Sequence, residues 1–134
     1  MLVGLFAFAL LLSDVSNHDG DTLRAGGVSY RLAMVDTPEI GKQRPRCWAE
    51  LAMGMRAAGR VRSILENAQR IEAMPDEDNP GRTSTDEQGW PLDYFGRRLA
   101  HISIDGRDLG ELLIAEGLGV RWGPREQHDW CRVP

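Results

Sequence analysis

The sequence has little cysteine, almost no lysine and no long apolar run. Two cysteines are too few for a disulfide-dense scaffold. The longest apolar run, residues 1–12, is too short to cross a bilayer as a helix, so no stable membrane span is predicted. The chain also has no glycine-rich phosphate loop and no G-x-S-x-G motif, which excludes the enzyme classes that depend on these motifs.

The composition is that of one globular domain. The 134 residues are 42 % hydrophobic and 27 % charged, which excludes wholesale disorder, collagen and coiled coil. A chain of this length can bury a core without metal or disulfide staples. We assign residues 13–134 to one domain. Residues 1–12 are interpreted either as the apolar core of a secretory signal peptide or as extra residues of a hydrophobic first strand.

The charge is distributed unevenly along the chain. The net charge of −4 argues against a strong nonspecific hold on nucleic acid. However, residues 74–93 alone carry −5, so the rest of the chain is at +1. Lys42 is the only lysine, and the other basic residues are arginines, whose planar fork suits phosphate.

Apolar spacing predicts strands and a long helix in the first half of the chain. The Gly26-Gly27 pair is typical of a β-hairpin turn, and alternating apolar residues extend the second strand over residues 28–35. Pro38 ends this strand because it has no amide hydrogen for the sheet. Apolar residues then recur at helical spacing over residues 49–67.

The second half predicts a loop, a strand and a short helix. Residues 75–91 hold three prolines and most of the excess acid, which is typical of a mobile loop. Residues 98–104 are predicted as a strand, and Asp108 with Glu111 has the spacing of a capping box before a helix that Gly117 ends. We therefore expect an α+β domain, mostly β: a five-stranded OB-type barrel with one long and one short helix.

Three polar clusters carry the chemistry of the sequence. They are Asp19-Gly20-Asp21-Thr22, then Arg31 with Val35-Asp36-Thr37-Pro38-Glu39, and finally Asp93-Tyr94-Phe95-Gly96-Arg97. Each cluster alone has the ordinary composition of a turn. Together they supply two carboxylates for a hard cation such as Ca²⁺ or Mg²⁺, a third carboxylate as a base, and two guanidiniums for phosphate. Phosphodiester hydrolysis needs this combination of groups.

The order of these motifs resembles the staphylococcal nuclease (thermonuclease) family. D-G-D-T, R-L-x-x-V-D-T-P-E, a helix and D-x-x-G-R-x-L-A follow one another, and the resemblance covers roughly residues 19–122. It implies an OB-type barrel with helices. It also implies Ca²⁺-dependent hydrolysis of DNA and RNA that leaves 3′-phosphates.

The resemblance also implies a role for each site residue. Asp21 and Asp36 resemble the Ca²⁺ ligands, with the carbonyl of Thr37 as a third, and Asp19 resembles a residue that supports the metal pocket from behind. Glu39 resembles the general base. The two phosphate-binding arginines correspond to Arg31 and Arg97.

Substrate contacts are predicted at two aromatic residues. Trp122 lies near the place where the family stacks an aromatic side chain on a base. Tyr94 is the second predicted substrate contact. Tyr94 and Phe95 stand where the family usually has a Lys-Tyr pair, so one phosphate contact of the family is expected to be missing. We expect a monomer that acts on DNA or RNA. The alternative is a non-catalytic OB-fold module that binds nucleic acid or protein, which the acidic net charge favours.

The two cysteines allow several interpretations. In the family's architecture the tail can return to the start of the long helix, so Cys47 and Cys131 could form a disulfide in a secreted or periplasmic protein. In a cytoplasmic protein they would remain free thiols. A zinc site that combines them with His128 is a third interpretation, but no fourth ligand is evident.

Overall fold

The computed structural model describes residues 9–40, 45–123 and 128–132. Within these residues the chain forms an α+β fold that is mostly β, as predicted. The two helices are α1 (Trp48–Asn67) and α2 (Leu109–Ala115). The strands are β1 (Leu10–Leu12), β2 (Ser16–Asn17), β3 (Thr22–Ala25), β4 (Val28–Leu32), β5 (Val35–Asp36), β6 (Ile71–Pro75), β7 (Ser84–Thr85), β8 (Pro91–Leu92), β9 (Arg98–Ile104), β10 (Arg107–Asp108) and β11 (Val120–Arg121).

Most of the described strands belong to one curled, mixed half-barrel sheet. Its main path runs β1-β6-β9-β4-β3-β2, with β10 and β8 also paired to β9 and β7 paired to β8. The β4–β9 pair is parallel, and the other pairs are antiparallel. Outside this sheet, β5 pairs with β11 and sets Asp36 opposite Val120. Among the described residues, no helix is long and apolar enough to cross a membrane.

The residues assigned to a signal peptide or a first strand fall partly outside the described range. Residues 1–8 lie outside it, and Leu10–Leu12 form β1, which pairs with β6. The interpretation of residues 1–12 therefore stays a prediction.

The hydrophobic core joins the sheet to both helices. Burying large apolar side chains supplies most of the stability of such a fold, at about 25 cal/mol per Å². Asn17 of β2 also donates a hydrogen bond to the Ala58 carbonyl of α1, with a length of 3.0 Å. The fully buried core residues from the strands and helices include Leu23, Tyr30, Leu32, Ile102, Val61, Leu109 and Leu113.

Both helices begin and end close to the predicted positions. Helix α1 begins at Trp48, one residue before the predicted start, because Cys47 is its N-cap. The Asp108 carboxylate accepts a 2.8 Å hydrogen bond from the Glu111 N–H at the start of α2. Gly117 has a φ of +74° and ends α2, since its N–H and that of Leu118 donate to carbonyls of the last turn.

Two boundaries predicted from the pattern are wrong. The strand predicted over residues 28–35 ends at Leu32, because Met34 has a φ of +61° and turns the chain into β5. The loop predicted over residues 75–91 contains the β7–β8 hairpin, which is joined to β9. Asp86 holds this hairpin by pairing with Arg98 at 2.7 Å, and the Arg98 guanidinium lies 4.7 Å from the centre of the Trp90 ring.

A disulfide joins Cys47 to Cys131 across a separation of 84 residues. It links the tail to the N-terminus of α1. The bridge rules out the free-thiol interpretation and the zinc site, because no thiolate remains to bind a metal. Such bridges are typical of proteins outside the cytoplasm, which agrees with the expected secreted or periplasmic location.

Candidate active site

The predicted catalytic and metal-binding residues line one cleft of about 880 Å³. The D-G-D-T turn, the end of β5 and the turn before β9 supply part of its polar wall. The predicted residues that line the cleft are Asp19, Asp21, Arg31, Asp36, Thr37, Glu39, Arg97 and Trp122. The cleft therefore brings together side chains that are up to 103 positions apart in the sequence.

The D-G-D-T turn is fixed by its own side chains. One oxygen of the Asp19 carboxylate accepts hydrogen bonds from the N–H groups of Asp21 (3.1 Å) and Thr22 (2.9 Å). The Asp21 carboxylate in turn accepts one from the Thr37 N–H (3.0 Å), which joins the turn to the end of β5. A Cβ at Gly20 would lie only 2.7 Å from Thr37 Oγ1, so this close approach requires glycine.

Arg31 connects the two predicted metal-binding carboxylates. Its Nη1 donates to the carbonyls of Leu32 (2.9 Å) and Val35 (2.7 Å). Its Nη2 lies 3.5 Å from Asp21 Oδ2 and 3.6 Å from Asp36 Oδ1. One nitrogen thus faces an oxygen of each carboxylate, so Asp21 and Asp36 converge on the same side of the cleft.

The cleft holds more negative charge than its arginines neutralise. Burial raises the pKa of Asp36 to about 6, and the nearby Asp21 charge adds to the increase while Arg31 opposes it. Burial likewise raises the pKa of Asp19 to about 6. The pKa of Glu39 rises to about 7, mainly through burial and then through the charges of Asp21, Asp19 and Asp36.

These residues fit a hard divalent cation. Two converging carboxylates with excess negative charge are the oxygen donors that Ca²⁺ and Mg²⁺ prefer. Within the described residues, no group of three or more His, Cys, Asp or Glu side chains could hold a metal ion, so backbone oxygen and water must complete its coordination. Among the same residues the buried Thr37 hydroxyl has no hydrogen-bond partner, and an ion or ordered water is a common reason for such an atom.

Arg97 reaches the cleft from the turn between β8 and β9. The Asp93 carboxylate shapes this turn by accepting hydrogen bonds from the N–H groups of Phe95 and Arg97, each 2.9 Å long. Its second oxygen pairs with Arg97 Nε at 2.7 Å. Arg97 Nη1 donates to Thr22 Oγ1 at 3.1 Å, which links this turn to the D-G-D-T turn.

The two predicted substrate-binding aromatics border a smaller cavity of about 260 Å³. This cavity shares Arg31, Arg97 and Trp122 with the main cleft. Trp122 directly follows β11, and its N–H donates to the Met34 carbonyl at 2.9 Å, which fixes its backbone beside the start of β5. Tyr94 is 82 % exposed and lies at the rim, next to the Phe95 ring.

The cleft also contains residues that the sequence did not assign to it, although His128 was considered as a zinc ligand. Glu50 comes from the first turn of α1, Arg46 directly precedes its N-cap, and His128 and Trp130 come from the tail. Glu50 stands three residues after the N-cap Cys47, which is the spacing of a capping glutamate and could have drawn attention to it. No sequence signal placed the tail residues in this cleft. The disulfide, the 3.2 Å hydrogen bond from Arg46 to the His128 carbonyl and the 3.6 Å Arg46–Asp129 ion pair hold the tail there. The chain matches no protein-family model.

Proposed function

We propose that this protein is a metal-dependent nuclease that hydrolyses phosphodiester bonds of DNA or RNA and leaves 3′-phosphates. We also propose that its half-barrel sheet is an OB-type barrel of the staphylococcal nuclease kind. The observation that carries the proposal is the meeting of three carboxylates and two arginines in one cleft: Asp21, Asp36, Glu39, Arg31 and Arg97.

The carboxylates of Asp21 and Asp36 and the carbonyl of Thr37 would hold Ca²⁺, or Mg²⁺ in its place. When bound, the cation supplies positive charge that polarises the scissile phosphate. Asp19 supports this site indirectly, because it fixes the backbone of Asp21.

Glu39 is suited to the role of general base. In the metal-free protein its pKa is raised to about 7, first of all by burial, and a buried carboxylate is a stronger proton acceptor than an exposed one. The water oxygen bonds to phosphorus, its proton passes to Glu39, and the bond from phosphorus to the 5′ oxygen breaks. The 5′ oxygen leaves with a proton taken from solvent water, which gives a 5′ hydroxyl. Arg31 and Arg97 bind the phosphate and stabilise the charge that builds on its oxygens.

The smaller cavity supports a substrate with accessible bases. Trp122 and Tyr94 present aromatic surface beside the two arginines, so a base can stack there while its phosphate lies in the cleft. Bases in a stable duplex are not free to stack in this way. Single-stranded or frayed DNA and RNA are therefore the proposed substrates, and the disulfide favours a site of action outside the cytoplasm.

A nuclease assay tests the proposal directly. Labelled single-stranded DNA and RNA are incubated with the protein in Ca²⁺, in Mg²⁺ and in excess chelator, and the product ends are identified by mass spectrometry. We expect cleavage with metal, none with chelator, and 3′-phosphate ends. Asp21→Asn serves as the matched variant and should lose both Ca²⁺ affinity, measured by calorimetry, and activity. Binding of the oligonucleotide without cleavage in either metal would favour the non-catalytic module instead.

A further inference from the structure

The segment that carries Glu39 lies directly on helix α1. A Cβ at Gly54 would lie 2.6 Å from Ile40 Cγ2, 2.9 Å from the Pro38 oxygen and 3.0 Å from the Glu39 oxygen. Real Cβ atoms essentially never come within 3.0 Å of other heavy atoms, so a larger residue at position 54 would push the segment away. Glycine at this position therefore lets the backbone around Glu39 rest on the helix.

Glu50, one helical turn before Gly54, holds the same segment through its carboxylate. Its Oε1 accepts a 2.8 Å hydrogen bond from the Arg46 N–H, and its Oε2 accepts a longer one of 3.5 Å from the Glu39 N–H. The Arg46 guanidinium also lies 3.6 Å from Oε1. Glu39 and Arg46 stand on either side of residues 41–44, so one carboxylate fixes the chain on both sides of them.

The position of Glu50 is itself determined by the start of α1. Its N–H donates to Cys47 Sγ at 3.4 Å, and Cys47 is bonded to Cys131. Glu50 is only 3 % exposed, and a buried carboxylate is costly unless its oxygens are bonded. The two backbone N–H groups supply those bonds. The mechanism proposed above assigns no chemical step to Glu50, although the residue lines the cleft.

We propose that Glu50 is a positioning residue for Glu39: together with Gly54 it fixes the backbone of residues 38–40 so that the Glu39 side chain faces the cleft. This inference rests on the proposed nuclease function. Glu50 acts only through Glu39 and does not touch the reacting atoms. A displacement of about 1 Å in such a group is enough to lower a rate about 10²-fold.

The first test compares Glu50→Gln with Glu66→Gln, which removes the same charge from an exposed position on the same helix. The glutamine carbonyl oxygen can still accept a hydrogen bond, but its NH2 group can only donate, so one of the two backbone contacts is lost. We expect Glu50→Gln to lower kcat by about 10- to 10²-fold with KM within about twofold. Glu66→Gln should keep the kinetics of the unaltered protein.

The second test removes the base first. In a Glu39→Gln background, adding Glu50→Gln should lower kcat by less than about twofold, because a residue that acts through Glu39 has nothing left to position. If Glu50→Gln lowers kcat by the same factor with and without Glu39, Glu50 acts independently and the inference is wrong.

A third measurement does not depend on activity. Amide hydrogen exchange at Glu39 and Arg46 should become about 5- to 10-fold faster in Glu50→Gln and stay unchanged in Glu66→Gln. Unchanged exchange at both amides would overturn the inference. If the unaltered protein cleaves nothing, the nuclease proposal fails, and the exchange rates still decide whether Glu50 holds this segment.

Gly54→Ala and Gly59→Ala provide a second matched pair on α1. A Cβ at Gly59 has no heavy atom within 4 Å, whereas one at Gly54 meets the Glu39 segment. Gly54→Ala should lower kcat by about 10-fold or more, and Gly59→Ala should leave it unchanged. Equal activity of the two variants, both folded by circular dichroism, would contradict the positioning role.

Discussion

The Arg31 guanidinium makes two kinds of contact, one with backbone carbonyls and one with carboxylates. Nη1 is occupied by the carbonyls of Leu32 and Val35, and Nη2 faces Asp21 and Asp36. A lysine ammonium is a single point charge and cannot serve both sides at once. We expect Arg31→Lys to lower kcat/KM about 10²-fold or more, although the charge is kept.

Arg97→Lys should lower kcat/KM as much, because two nitrogens of the Arg97 guanidinium bond to Asp93 and Thr22. Steady-state kinetics on a single-stranded substrate measure both effects. Arg62→Lys, on the exposed face of α1, is the control and should be neutral. Near-normal activity in either cleft variant would show that its guanidinium does not bind the phosphate.

Glu39 is the residue whose loss should separate catalysis from binding. Glu39→Gln removes the proton acceptor but none of the proposed metal ligands. We expect kcat to fall about 10²-fold or more, with KM and the Ca²⁺ affinity little changed. Kinetics and calorimetric titration with Ca²⁺ check these expectations. A kcat close to that of the unaltered protein would remove Glu39 from the role of base.

The predicted site residues differ from the missed ones in how their roles are encoded. Asp21, Asp36 and Arg31 belong to short motifs of carboxylate and guanidinium side chains. These residue types indicate metal and phosphate binding, so the sequence alone was enough to propose them as site residues. Glu50 contacts the backbone N–H groups of Glu39 and Arg46, and its spacing from Cys47 indicates a helix cap without recording these contacts. His128 reaches the cleft through long-range contacts of the tail, which are the disulfide to Cys47 and the hydrogen bond from Arg46 to the His128 carbonyl.

At the scale of elements, the local sequence pattern predicts long elements, whereas short strands depend on the strands with which they pair. The long helix was predictable because its apolar spacing runs over several turns. The β7–β8 hairpin has only two residues in each strand and exists through contacts with β9. Local composition, rich in Pro, Gly and acid, could only indicate a loop there.

The ion pair beneath this hairpin gives a stability prediction. Arg98 is buried, and its contacts with Asp86 and the Trp90 ring attach the hairpin to the sheet. Asp86→Ala leaves that guanidinium without its carboxylate and should lower the free energy of unfolding by about 3 kcal/mol. Urea unfolding measures the loss, and the exposed neighbour Glu87→Ala should change stability by less than about 0.5 kcal/mol. Equal stability of the two variants would mean that the pair does not hold the hairpin.

At the scale of the whole molecule, the carboxylates of the cleft make the stability of the folded protein depend on pH. The raised pKa values of Asp19, Asp36 and Glu39 mean that the folded protein binds protons more tightly than the unfolded chain between about pH 4 and pH 7. Stability of the metal-free protein should therefore fall as pH rises through this range. Asp86 and Glu116 have lowered pKa values and act only at more acidic pH.

Thermal unfolding in chelator from about pH 5 to pH 8 checks this expectation. The melting temperature should decrease with pH, and added Ca²⁺ should raise it most at the alkaline end, because the ionised carboxylates bind the cation. Asp36→Asn should flatten the dependence. A melting temperature that rises steadily from pH 5 to pH 8 in chelator would show that ionisation of the cleft carboxylates does not destabilise the folded protein.

The disulfide is the one covalent link between distant parts of the chain, and its removal should affect the whole molecule. It closes a loop of 84 residues, and opening such a loop returns chain entropy to the unfolded state. We expect the Cys47→Ser/Cys131→Ser double variant to lose up to about 4 kcal/mol of unfolding free energy, less any strain that the bridge imposes on the folded state. Urea unfolding measures the loss, and reductant should destabilise the unaltered protein alone, since the double variant has no bridge to break.

Because Cys47 caps α1 and Cys131 carries the tail that places Trp130 in the cleft, the rate of hydrolysis should also fall under conditions where both forms remain folded. Thiol counting on denatured, unreduced protein supplies the decisive check, and two free thiols would refute both the bridge and its effect on the cleft.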